Sequence, residues 1–171
     1  MNLPNKLTVI RILLIPIVCL LLSFGLNGWA LAVFLIASVT DFLDGYLARK
    51  HHLITTFGKF LDPVADKLLV LCTMIFLCEQ GAMPAWAAAI VAFRELAVDG
   101  LRLVAAGKGK VVAAGWLGKI KTNLQLLCVI FAMILPGHVL TAILTYGMAL
   151  MTLVSGTDYF IKLKDVFIEG E

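Results

Sequence analysis

The sequence predicts an all-α, polytopic integral membrane protein, six transmembrane helices enclosing a polar cavity that faces the cytoplasm. Three observations predict it. Hydrophobic residues make up 61% of the 171-residue chain and charged ones only 15%, with a mean hydropathy of +1.00. That is more apolar surface than a soluble domain of this size can hide, since such a domain needs a polar exterior. Six apolar runs divide the chain, each near the roughly 20 residues that cross a bilayer as a helix. The cations gather in alternate connections between those runs. A single domain, residues 1–171, holds all six.

The first run is Leu7–Phe24, with Pro16 a kink and Asn5, Lys6, Thr8 and Arg11 at its front end. The second is Trp29–Leu47 and the third Phe60–Leu77. The fourth, Pro84–Ala106, is interrupted by Arg94, Glu95, Asp99 and Arg102. Trp116–Leu135 and Leu140–Phe160 complete the set. A backbone inside lipid must satisfy its own polar groups, so these spans are expected to be helices. The alternating pattern of a barrel strand is absent.

The connections SFGLNG, CEQGAMP and PGHV are nearly uncharged, whereas thirteen of the fourteen Lys and Arg lie in or around the two other connections and the two ends. The positive-inside rule then puts both termini and both basic loops in the cytoplasm, with the cell membrane as the expected location. Trp29 and Trp86 fall at the outer boundary and Trp116 at the inner one, as interfacial aromatics should. The apolar start, lacking a small-residue cleavage site, is expected to remain as the first span. A net charge of +3 without a basic tract excludes a nucleic-acid binder. Cys19, Cys72, Cys78 and Cys128 sit singly in apolar runs and are expected to be small buried side chains.

The stretch from Ser38 to Lys67 then stands out, because it sets Asp41, Asp44, Asp62 and Asp66 beside the membrane. Asp41 and Asp44 are one turn apart on the second helix, and Asp62 and Asp66 four residues apart on the third, so each pair shares a face. Asp41 lies roughly 12 Å along the axis from Arg49, near the border of hydrocarbon and headgroup. Antiparallel neighbours bring the two pairs to one depth. Four carboxylates there must protonate, find cations or hold metal. Arg49, Lys59 and Lys67 supply one pairing each, which is the plain salt-bridge alternative. Hard oxygen ligands from two helices instead describe a site for one or two Mg²⁺ or Mn²⁺ ions, able to clamp a phosphoryl group. Gly45, Gly58 and Ala48 leave room beside them for a bulky ligand.

The pattern D-x-x-D-G-x-x-A-R, eight residues, then G-x-x-x-D-x-x-x-D is met at Asp41, Asp44, Gly45, Ala48, Arg49, Gly58, Asp62 and Asp66. It resembles the signature of the CDP-alcohol phosphatidyltransferases. The resemblance implies transfer of a phosphatidyl group from CDP-diacylglycerol to an alcohol, with release of CMP. It implies that Asp41, Asp44 and Asp62 bind metal, two Mg²⁺ or Mn²⁺ ions, with Asp66 both ligand and general base. Gly45 and Ala48 would line the cytidine pocket, with Gly58 beside them, and Arg49 would hold the pyrophosphate. The family likeness also implies a homodimer.

Asn5, Thr8 and Arg11 form a polar stripe at three-residue spacing. An interfacial helix facing headgroups explains it as well as a site does; the resemblance places Asn5 and Thr8 on the donor side. In the fourth span, charges are costly unless they face protein or water. Arg94, Arg102, Lys119 and Lys121 are expected around one cytoplasmic cavity, an anion pocket suited to a phosphorylated acceptor. Lys119 and Lys121 also suit plain inner-leaflet anchors. The R-E-L and W-x-G-K-x-K-T segments resemble the branch of the family whose acceptor is sn-glycerol 3-phosphate. Inositol phosphate, serine or phosphatidylglycerol are the alternative acceptors. A small cation transporter is the alternative of a different class, although acidic residues on the outer half are nearly absent apart from Glu79.

Overall fold

In a computed structural model the chain is all-helical. It describes the backbone of residues 3–50, 56–109 and 115–164, and their side chains except at 3–4, 41–50 and 56–60. Six helices follow one another: α1 (Leu3–Ser23), α2 (Asn27–Lys50), α3 (Thr56–Glu79), α4 (Ala85–Gly107), α5 (Trp116–Ile134) and α6 (Val139–Lys162). Each matches one expected run to within a few residues at either end.

The short connections are closed by backbone chemistry. After α1, Gly25 at φ 70° donates to the Leu22 carbonyl while Leu26 donates to Leu21. After α3, Gly81 at φ 73° and Ala82 repeat the pattern on Cys78 and Leu77. Both are the paired bonds of a glycine-terminated helix, which use carbonyls the helix leaves open. Gln80 ties the two turns together, its amide donating to the Leu22 carbonyl and, at 3.0 Å, to Asn27 Oδ1. His138 caps α6, its Nδ1 accepting from the Leu140 amide at 3.1 Å, which gives that histidine a structural role.

α1 packs along α2 and α3, and α6 along α5 and α4, while α3 and α5 join the two groups. The main core runs through Val18, Leu22, Phe34, Leu69, Met74, Val91, Val129 and Met148. Alanines 30, 37, 87 and 132 are fully buried at the helix contacts, where small side chains let backbones approach closely. Buried Thr73, Thr145 and Thr152 donate to carbonyls four residues back, so their hydroxyls carry no unmet demand. Large apolar side chains point outward instead, among them Leu13, Phe24, Trp29, Phe93, Leu103, Ile143 and Leu150. Such a surface suits lipid rather than water.

Among the described residues, three stretches are long and apolar enough to cross a membrane: Asn5–Ser23, Trp116–Ile134 and Val139–Lys162, with a shorter apolar stretch at Asn27–Thr40. Six helices stand where six spans are expected, and charges of α3 and α4 turn inward.

Candidate active site

The inward charges meet in a polar cavity of about 410 Å³ between α3, α4, α5 and α6. From α3 come Asp66 and Lys67. From α4 come Arg94, Glu95, Asp99 and Arg102, which recur at helical spacing on one side. From α5 come Lys121, Asn123 and Gln125, and from α6 Tyr159.

Glu95 is the hub. Its side chain is 6% exposed and faces cations from three helices: Lys121 Nζ bonds Oε1, Arg94 Nη1 lies 3.4 Å from Oε1 and Lys67 Nζ lies 3.5 Å from Oε2. A carboxylate this deep is tolerable only when paired, and Lys121, 4% exposed, needs it equally. Lys67 also bonds Asp99, whose side chain is 45% exposed at the rim.

The two arginines are positioned from α6. Arg94 Nη2 donates to Ser155 Oγ at 2.6 Å, and Arg102 Nη2 to Tyr159 Oη at 2.6 Å. Both guanidinium groups also lie over the buried Tyr159 ring, at 5.4 and 5.0 Å from its centroid, a cation–π arrangement that costs neither group its remaining donors. The phenol accepts a second bond from the Gly115 amide at 3.1 Å, which pins the start of α5. Gly156 makes room for Arg94: a Cβ there would stand 3.3 Å from the arginine's Cγ. The Nε of Arg94 and of Arg102 are buried without a hydrogen-bond partner among the described residues. Such donors suit an incoming anion.

At the other side of α3, Thr8 Oγ1 donates to Asp62 Oδ1 at 2.5 Å. Asn5, Thr8 and Arg11 are all buried. The N-terminal stripe therefore faces protein rather than headgroups, and it meets the aspartate motif directly.

The expected site residues divide as follows. Asp66, Arg94, Arg102 and Lys121 are brought to one cavity. Asp62 lies one turn before Asp66, in contact with Thr8. Lys119 is not among the cavity residues; it is exposed, with Nζ 5.3 Å from the Trp116 ring centroid. That is a lysine held at the boundary by its aromatic neighbour, the anchor alternative. The side chains of Asp41, Asp44, Ala48 and Arg49, and Gly45 and Gly58, lie outside the described residues. Among the described residues, no three His, Cys, Asp or Glu side chains converge as metal ligands. Asp62 and Asp66 provide hard oxygen donors on one helix face, a donor type that fits Mg²⁺ or Mn²⁺ rather than a soft metal.

Sequence reasoning missed four participants. Lys67, a partner for the motif aspartates only in the salt-bridge alternative, pairs with Glu95 and Asp99 of α4. Spacing puts Glu95 and Asp99 on one face of the fourth span but gives neither a place in the site. Tyr159 was not singled out, although its four-residue spacing from Ser155 marks a polar face in an otherwise apolar helix.

Comparison with known proteins places the chain in a family. The family model described as CDP-alcohol phosphatidyltransferase matches residues 1–154. The chain is 45% identical to the CDP-diacylglycerol–glycerol-3-phosphate 3-phosphatidyltransferase of Bacillus subtilis, with 94% of each chain covered. It is 36% identical to the protein of that name from Rickettsia felis, with 97% of each chain covered. It is also 36% identical to the one from Sodalis glossinidius, covering 84% of this chain and 82% of that one. With the family model matching residues 1–154 and the relatives matching nearly the whole length, the chain belongs to the CDP-alcohol phosphatidyltransferase family.

Proposed function

We propose that this protein transfers the phosphatidyl group of CDP-diacylglycerol to sn-glycerol 3-phosphate, giving phosphatidylglycerol phosphate and CMP in phospholipid biosynthesis. The observation that carries it is the meeting of Asp66 with Arg94, Arg102 and Lys121 in one cavity. A base and an anion pocket side by side are what a phosphate-bearing alcohol requires.

The acceptor's phosphate sits among Arg94, Arg102 and Lys121, where charge-assisted bonds fix its orientation. Its hydroxyl then faces Asp66, which takes the proton as the oxygen attacks the phosphorus bearing the diacylglycerol. The diphosphate bond breaks and CMP departs with the electron pair. Arg49 would hold the donor's diphosphate and offset the charge that develops there. Asn5, Thr8, Gly45, Ala48 and Gly58 make the nucleotide side, to which the Thr8–Asp62 bond lends support. Mg²⁺ or Mn²⁺, two ions held by Asp41, Asp44, Asp62 and Asp66, would neutralise the donor's diphosphate when bound.

In this account all six helices cross the cell membrane as one domain. Both termini and the cavity face the cytoplasm, in keeping with the distribution of Lys and Arg. The donor's acyl chains stay in lipid, and the protein acts as a homodimer.

The test is a panel of alcohols incubated with labelled CDP-diacylglycerol and Mg²⁺, read by product mass. Phosphatidylglycerol phosphate formed in preference to products of inositol phosphate, serine or phosphatidylglycerol supports the proposal. A different preferred acceptor moves the chain to another branch of its family.

A further inference from the structure

Lys67 follows Asp66 in α3, lines the same cavity and reaches two carboxylates of different character. Glu95 is buried and cannot be left without cations. Asp99 is 45% exposed at the rim; water can solvate it if its partner leaves, and pairs this open add little to stability. Lys67 can therefore release Asp99 at small cost while keeping Glu95. A phosphate dianion offers more charge and more acceptor oxygens than one carboxylate. It arrives at this position when it enters between Arg94, Arg102 and Lys121.

We propose that Asp99 is a built-in competitor for the acceptor's phosphate, and that Lys67 exchanges the Asp99 carboxylate for that phosphate when the acceptor binds. Lys67 is then a further phosphate-binding residue and Asp99 a residue that tunes its affinity. An alcohol without a phosphate leaves the Lys67–Asp99 pair intact, so the competition falls on phosphorylated acceptors alone. The proposal rests on the acceptor-phosphate assignment of this cavity.

The experiment uses the full-length protein in mixed micelles with CDP-diacylglycerol. It measures KM for sn-glycerol 3-phosphate and for the donor, Ki for orthophosphate, and the rate with glycerol. Asp99→Asn and Asp99→Ser are each expected to lower the acceptor KM and the orthophosphate Ki about fivefold, the size of one open ion pair. The donor KM and the rate with glycerol stay constant. Asp99→Glu restores native values. Lys67→Met raises the acceptor KM at least about tenfold, and in that background Asp99→Asn has no further effect. An acceptor KM that rises or stays put in Asp99→Asn overturns the proposal, because Asp99 then only braces α3 against α4. An equal fall in the Lys67→Met background also overturns it, since the effect is then a general field. A native protein that releases no CMP with glycerol 3-phosphate is a separate result, which removes the acceptor assignment itself.

Discussion

Thr8 in α1 donates its hydroxyl to Oδ1 of Asp62 in α3 at 2.5 Å, and Thr8 is fully buried. Fifty-four residues apart in sequence, the two tie the polar stripe at the front of the chain to the carboxylate motif. The bond holds one oxygen of Asp62 in place.

Thr8→Val keeps the shape of the side chain and removes the donor. Loss of an orienting bond of this kind costs about 10- to 100-fold in metal affinity or activity. We expect the Mg²⁺ concentration for half-maximal CMP release to rise within that range, with Thr8→Ser restoring it. A titration of activity against Mg²⁺ for the three proteins checks this.

Glu95→Gln leaves Lys121, Lys67 and Arg94 crowded around a neutral amide. Removing one partner of a buried ion pair destabilises by about 3–5 kcal/mol. The expected outcome is a large fall in the unfolding midpoint in detergent, partly recovered in Glu95→Gln/Lys121→Met because that change removes the most deeply buried of the stranded cations.

Tyr159→Phe keeps the ring beneath Arg94 and Arg102 but deletes the acceptor for Arg102 and for the Gly115 amide. We expect the acceptor KM to rise about 5- to 10-fold, the worth of a net hydrogen bond, while the donor KM stays constant. Steady-state kinetics with each substrate varied in turn separates this from general loosening, which moves both.

Lys121→Ala and Lys119→Ala should differ sharply despite a separation of two residues. Lys121 bonds buried Glu95 and lines the cavity; Lys119 is exposed beside Trp116. The first is expected to raise the acceptor KM about 10- to 100-fold, as for a charge-assisted bond, and the second to leave it near native. The ratio of the two acceptor KM values is the measurement.

That contrast shows where the sequence is informative. The helices are legible because apolar runs end at glycines and prolines whose backbone preferences stop a helix, as at Gly25 and Gly81. The Asp62–Asp66 face is legible from spacing alone. Helical phase also separates Lys121 from Lys119, since only Lys121 falls in line with buried Gln125 and Cys128. Composition treats the two alike, and the buried side of α5 emerges only from its packing. The same holds for the front stripe. Spacing aligns Asn5, Thr8 and Arg11, but only the packing of α1 on α3 decides that they are buried. Lys67, Glu95, Asp99 and Tyr159 join the site through contacts between helices, which periodicity along one helix does not encode.

The most direct test is Asp66→Asn, assayed for CMP release with glycerol 3-phosphate and, separately, for binding of CDP-diacylglycerol. The carboxylate that faces the acceptor's hydroxyl is expected to be indispensable for turnover, with donor binding partly retained. Turnover close to that of the native protein would contradict the assignment of this cavity as the place where the phosphatidyl group changes hands.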